Sequence, residues 1–526
     1  MPPKAKLMKE SKKSDPAEAA RRSEARAREA EKKFKPPARQ KPVHFASDEI
    51  WISVALANES GDAALILREL RRRYVFDKAR KMMFRFNGQH WERDMLDHAA
   101  KEARELLTRV YQEESNRLNQ ICTNPVSSEE ERKSAEMRRD AINKRIRAVN
   151  TRHRMENIMS LCATGNDTLA ISGEEWNRDP WALPVANGII DLKTGEYRPG
   201  RPEDYFNKCA PTSWEGLHIE APVWEAFLLS TFDGDTDLVE YVQKVLGIGI
   251  VGQAKQQEFY ILYGEGRNGK GTLIETTKDV LGPLVDPIRS ELIMESRFQG
   301  GSGANPEVLD LQGMRLVWAS ETKEGQSLNV EKIKLFTGAD TLKARYNYAN
   351  EMIAFKPSHT LLLLTNHKPR VKASEYALWQ RLRLIPFQLS FVDNPKEEHE
   401  RQKDPDLVEK LAKERPAILA WFVRGCLNYQ RDGLRPPQKV IEATHEYRTS
   451  QDTIQDFLNE CCVFEANARV QAGNLYERYQ DWYRLAFGEK SKVPGLKTFS
   501  AEMQRKTKRT IGRITFYEGL RVLDDS

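Results

Sequence analysis

The stretch Phe259-Tyr-Ile-Leu-Tyr-Gly-Glu-Gly-Arg-Asn-Gly-Lys-Gly-Thr272 constrains this chain more than any other. Phe259 to Tyr263 is an apolar run of the length of a strand buried on both faces. Three glycines and a lysine follow, and Leu273 and Ile274 open a helical pattern. Strand, Gly-rich loop and helix together make the spacing Gly264-x4-Gly269-Lys270 a phosphate-binding loop, or P-loop. Glycines let the backbone wrap a triphosphate, so that N–H groups and the helix N-terminus face its oxygens. The candidate nucleotide contacts are Gly264, Gly266, Asn268, Gly269, Lys270, Gly271 and Thr272, with Lys270 reaching the β- and γ-phosphates. One position departs from the pattern. Gly271 stands where Ser or Thr ordinarily meets Mg2+, and the hydroxyl comes one residue later, at Thr272.

A chain of 526 residues exceeds one ordinary core and predicts several domains. Its net charge of +6 is unevenly placed: residues 1–41 hold fourteen Lys/Arg against six Asp/Glu, which leaves the remainder at about −2. A nucleic-acid surface on the body must therefore be a local patch. The six cysteines form no CxxC pair, so reduced thiols are expected rather than a disulfide frame or zinc site. No apolar run approaches the roughly 20 residues of a membrane span, and no signal-peptide core is present. These features predict a soluble, cytoplasmic protein without a membrane partner.

Residues 1–48 read as a disordered basic tail that touches DNA or a partner, or serves only as a solubilising arm. Residues 49–215 read as a mainly helical N-terminal domain. A hairpin over 83–91 turns at Asn87-Gly88, and a long polar helix over 129–154 carries Arg145 and Arg154 on what reads as a solvated face. Residues 216–255 form a helical collar segment, and 256–395 alternate strands and helices, predicting a largely parallel α/β core. A helical lid and linker covers 396–450. Residues 451–526 read as three helices and a hairpin turning at Tyr517-Glu-Gly519, the order of a winged-helix DNA-binding domain.

A phosphate-binding loop needs an acidic group at the end of a second strand. The run Leu316–Ala319 leads into Ser320-Glu321, making Glu321 the candidate general base and metal ligand, with Glu324 a weaker alternative. A third strand, Leu361–Leu364, ends in Thr365-Asn366, where an amide can bond the γ-phosphate or the attacking water. Arg381 and Arg383 alternate on a further strand, so at most one faces a given site. An arginine there can neutralise charge on a phosphoryl group held by a neighbouring subunit. Lys343, Arg345 and Tyr346 suit a loop that grips a phosphate backbone and stacks bases, and equally an ordinary exposed hairpin. In the last unit Lys497, Arg505, Lys506, Arg509 and Arg513 are the candidate DNA contacts, with a basic surface lacking any partner as the plain alternative.

The blocks Gly264–Thr272, Ala319–Gly325, Thr365–Pro369 and Trp379–Phe387 stand in an order that resembles superfamily 3 helicases. The likeness is greatest to the helicase part of the phage and plasmid primase-helicases, which is similar to the poxvirus primase-helicase. A weaker likeness runs over about 74–250, including Asn187–Leu192, and over the C-terminal unit. The resemblance implies a multidomain α/β protein with an AAA+-like P-loop core, a hexameric ring, and ATP and Mg2+ held between subunits. It implies Lys270 and Thr272 on phosphates and metal, Glu321 as the acidic residue, Asn366 as sensor, and Arg381 as the finger completing a neighbour's site. It also implies a central-pore hairpin carrying Lys343 and Arg345, and movement 3′ to 5′ on single-stranded and forked DNA. The primase half is expected to be absent, leaving a separate primase or origin-binding protein as a partner. Two other classes fit fewer features: a DNA-binding replication initiator that does not unwind processively, and a nucleotide kinase, which accounts for neither Asn366 nor the last unit.

Overall fold

The computed structural model describes residue 50 and residues 59–253, 256–295, 306–320, 326–345, 352–371, 375–487, 493–511 and 514–523. The basic tail, Glu321, Glu324, Tyr346 and Arg513 lie outside the described residues.

The chain begins with the helix Glu59–Leu70 and then β1 (Tyr74–Asp77), β2 (Met82–Phe86) and β3 (Trp91–Arg93). The helices His98–Thr123, Glu129–Val149 and Arg152–Cys162 and the short β4 (Ala170–Ile171) follow. β2 and β3 form the expected hairpin, with Phe86 opposite Trp91. They belong to a sheet of order β3-β2-β1-β4, larger than the sequence suggested. The polar helix is shorter than predicted. Ser128 and Glu131 start it with a reciprocal cap, and it ends at Asn150. Arg145 and Arg154 correct the reading of a solvated face. Both point inward, with guanidinium nitrogens 3.4 and 2.7 Å from the fully buried carboxylate of Asp62. A buried carboxylate without such partners would be costly.

β5 (Ala182–Val185), β6 (Gly188–Asp191) and β7 (Tyr197–Arg198) form a small antiparallel sheet. The helices Pro222–Thr231 and Thr236–Gly249 lead into the core. The second packs on the later helix Arg415–Asp432 at backbone contact. A Cβ on Gly247 would lie 2.3 Å from the amide nitrogen of Cys426, so only glycine permits this approach.

The core contains β8 (Phe259–Tyr263), β9 (Val285–Ile288), β10 (Leu316–Ala319), the antiparallel pair β11 (Leu342–Ala344) and β12 (Ile353–Phe355), β13 (Thr360–Thr365) and β14 (Leu382–Pro386). Five of these strands form one parallel sheet of order β14-β8-β13-β10-β9. Alternate side chains enter two different apolar clusters. Tyr260, Leu262 and Trp318 face the helices 236–249 and 415–432, whereas Phe259, Ile261 and Val317 pack with Ile333 and Phe336. Burial on both faces is why the inner strands β8, β10 and β13 read as near-continuous apolar runs, whereas the edge strand β9 exposes Asp286 and Pro287. Arg315, immediately before β10, ties the N-terminal region to this sheet by donating to the carbonyls of Pro180 (2.6 Å) and Ala182 (2.7 Å).

After β14 come β15 (Ser390–Val392) and β16 (Glu400–Gln402), then the helices Leu407–Lys413, Arg415–Asp432 and Gln438–Thr449. The last unit has the helices Thr453–Cys461, Ala472–Phe487 and Leu496–Lys506, with β17 (Cys462–Gln471), β18 (Lys508–Ile511) and β19 (Thr515–Val522) in the order β17-β19-β18. Two expectations need correction. Tyr517–Gly519 lie within β19, and the hairpin reverses between Ile511 and Thr515. β17 was not foreseen because its sequence, exposed along most of its length, lacks an apolar alternation.

Candidate active site

The five parallel strands aim their carboxyl ends at one edge, and the Gly-rich loop leaves β8 there. Gly269 has φ 85°, a left-handed conformation suited to glycine, and starts the Lys270–Leu281 helix without any side-chain cap. The first N–H groups of that helix therefore remain available to an anion. The loop is closely fitted. Asn268 is buried, and its amide nitrogen donates to the carbonyl of Phe387 at 3.3 Å. A Cβ on Gly264 would lie 2.0 Å from that nitrogen and 2.3 Å from that carbonyl oxygen. Phe391 of β15 donates its amide to the carbonyl of Arg267 at 2.7 Å, tying the loop's outer side to the segment after β14.

Lys270 is the centre of this arrangement. Its ammonium donates to the carbonyl of Gly264 (2.6 Å), to Oδ1 of Asn268 (3.0 Å) and to Oδ1 of Asn366 (3.1 Å). Asn366 lies 96 positions away in sequence and arrives at the end of β13, the neighbour of β8. Burial lowers the lysine pKa to about 8 from the ordinary value of 10.5. A bound triphosphate restores the charged form. Between pH 8 and 10.5, nucleotide binding should therefore take up protons, and affinity should fall as pH rises. Calorimetry in buffers of different ionisation enthalpy checks this: uptake should increase from pH 7.5 to 8.5, toward roughly three quarters of a proton for a pKa near 8.

The other predicted residues divide. Gly271 is exposed, with nothing within 4 Å of where a Cβ would stand. Thr272 lines a cleft shared with Asp279, Val408, Leu411 and Arg415. β10 points at the same edge as the loop, but Glu321 lies outside the described residues. Among those residues no group of three or more His, Cys, Asp or Glu could hold a metal. The site fits nucleotide phosphates; a Mg2+ ion would arrive with them and be held chiefly through their oxygens. Arg381 sits at the opposite end of the sheet, just before Leu382, the partner of Phe259 at the start of β8. That is roughly 16 Å from the loop at about 3.3 Å per residue. It donates to Oγ1 of Thr337 (3.2 Å) and the carbonyl of Gln257 (3.4 Å). Arg383 is committed within the chain, to Glu258 at 2.9 Å.

Lys343 is exposed on β11 and Arg345 follows the strand. Of the C-terminal candidates, Lys497 and Arg505 are exposed. Lys506 is not available as expected, because its ammonium donates to Asp452 (2.7 Å) and Gln455 (2.8 Å), joining two helices. Arg509 is half-buried on β18. Two features went unread in the sequence. Lys368 lies 5.0 Å from the ring centroid of Tyr263, beside the site. The buried Thr231 packs its hydroxyl against Gly269. Neither carries a local signal, since both contacts join segments remote in sequence.

The class this architecture suggests is given by comparison. Residues 63–233 match the family model described as D5 N terminal like. A protein described as "Putative helicase" from Acanthamoeba polyphaga mimivirus is 30% identical over 62% of this chain and 35% of its own length. "Primase D5" of Fowlpox virus is 24% identical over 43% of this chain and 29% of its own length. The resemblance to a primase-helicase family related to poxvirus D5 therefore stands on residues 63–233 and on these viral relatives. The family match falls on the region whose resemblance was weaker in the motifs, ahead of the Gly-rich loop. The chain spans about a third of the length of these curated relatives. The solved NrS-1 C-terminal region aligns at TM-score 0.33 and 14% identity, over 55% of this chain and 64% of its own, too low to support an inference. No helix among the described residues is long and apolar enough to cross a membrane.

Proposed function

We propose that the chain is an ATP-driven DNA helicase acting in genome replication, working as a hexameric ring that moves 3′ to 5′ on single-stranded and forked DNA. The observation that carries this reading is the meeting of Lys270 with Asn366 beside an uncapped helix N-terminus, at the carboxyl edge of a parallel sheet. Lys270 and the first-turn N–H groups hold the β- and γ-phosphates. Mg2+ supplies charge neutralisation at the phosphates when bound with the nucleotide, and Thr272 and Glu321 are its candidate ligands. Glu321 accepts the proton of the attacking water, and Asn366 orients that water or the γ-phosphate. Arg381 reaches a neighbour's nucleotide from the far end of its own sheet. The C-terminal unit acts as a winged helix and holds DNA through Lys497, Arg505, Arg509 and Arg513. A separate primase or origin-binding protein completes the machinery.

The test is strand displacement on forked DNA together with ATPase measured with and without single strands. Stimulated hydrolysis with displacement supports the reading. Stimulated hydrolysis without displacement identifies an initiator, and phosphoryl transfer to a free nucleotide identifies a kinase. Within this reading, Lys343 on β11 and Arg345 just after it meet the strand in the pore, and Tyr346 is a candidate to stack on its bases. Lys343→Ala with Arg345→Ala should leave basal ATPase unchanged while removing unwinding and DNA stimulation, because the nucleotide edge uses other strands of the core. Normal unwinding by the double variant would return this hairpin to an ordinary surface element.

A further inference from the structure

We propose that the Leu496–Lys506 helix reads base sequence in duplex DNA, making the C-terminal unit a site-selecting module as well as a grip on the backbone. This rests on the reading that the unit contacts DNA and adds the form of DNA and the means of selection. Phe499 and Met503 anchor one side of the helix, both fully buried in the unit's own core. Lys497, Thr498, Ala501, Gln504 and Arg505 are all exposed. At 3.6 residues per turn they occupy a single arc of about 120°. Glu502 stands at its margin and is bound to Arg505 at 2.8 Å, while Lys506 is turned inward to Asp452.

The composition of this strip favours a duplex. Lys497 and Arg505 bracket it, about 12 Å apart along the axis at 1.5 Å per residue, close to the width of about 12 Å of a B-DNA major groove. Between them stand side chains matched to base edges. Gln bonds adenine through both amide atoms, Thr bonds any of several edges, and Ala meets the thymine methyl. A purely electrostatic grip needs none of these. Non-specific single-strand binding relies on aromatic stacking, and the strip contains no aromatic residue. Lys508 is exposed on the adjoining β18, where it can meet the flanking backbone.

Selection from a library of random duplexes by the full chain tests this, run in parallel with Lys270→Ala so that loss of the nucleotide site does not affect the outcome. A recurring motif containing adenine is expected with both proteins. Gln504→Ala should weaken binding to the selected duplex roughly tenfold and erase preference at one position, leaving random duplex unaffected. Lys497→Ala should weaken selected and random duplex alike and reduce the salt slope by about one. The proposal is overturned if no motif emerges, if the motif survives Gln504→Ala and Thr498→Ala unchanged, or if the same sequence binds more tightly as a single strand. A chain that selects a motif but neither hydrolyses ATP nor unwinds would defeat the helicase reading alone.

Discussion

ATP hydrolysis, on the function proposed, should fall by about 10²–10³-fold or more in Lys270→Ala, while Tm should stay within about 3 °C of the parent protein. The two halves of this expectation have separate causes. In the proposed site the ammonium is the charged donor offered to the β- and γ-phosphates, and it is buried, where electrostatic contacts are little screened. Its loss cannot be compensated by the backbone N–H groups alone. Stability responds less, because removing the side chain has opposing effects. Gly264, Asn268 and Asn366 each lose a donor, but a buried amine whose charge is disfavoured by desolvation also disappears. Steady-state ATPase and thermal melting on the same preparation check both halves. Unaltered turnover in a folded variant would remove Lys270 from the nucleotide site.

The second large effect is expected at Arg381. In its own subunit the guanidinium lies at the amino end of the sheet, opposite the loop, so it cannot serve its own nucleotide. If it completes a neighbour's site, Arg381→Ala should bind ATP almost normally and hydrolyse it poorly, by as much as 10³–10⁵-fold by analogy with GTPase arginines. Mixing Arg381→Ala with Lys270→Ala should then recover part of the ATPase, because some interfaces regain one intact lysine and one intact arginine. Unwinding need not return, since a ring can require several working sites. The measurement is ATPase against mixing ratio, after exchange of labelled subunits has been demonstrated. If exchange is proven and activity stays at zero at every ratio, Arg381 is not a trans-acting group. Arg383 is then a poor replacement, being held by Glu258.

By itself the sequence determined the three inner strands of the parallel α/β core, and it did not mark the edge strand β9. Strands buried on both faces are near-continuously apolar, so Phe259–Tyr263, Leu316–Ala319 and Thr360–Thr365 were legible as strands without any partner in view. It also marked Lys270 and Asn366, because a Gly-rich turn and an amide at a strand end are local patterns. Only the tertiary structure decided that the two side chains meet, since strand order in a parallel sheet is a long-range property. The same limit hid the inward turn of Arg145 and Arg154: composition shows a charged helix, but a buried carboxylate on another helix decides which charges leave solvent. β17 was missed for a related reason, because a largely exposed strand is specified by the hydrogen bonds of β19 rather than by its own residues. Lys506 shows the limit at one side chain. Sequence counts its charge among those available to DNA, whereas packing places Asp452 and Gln455 within bonding distance and commits it to the fold.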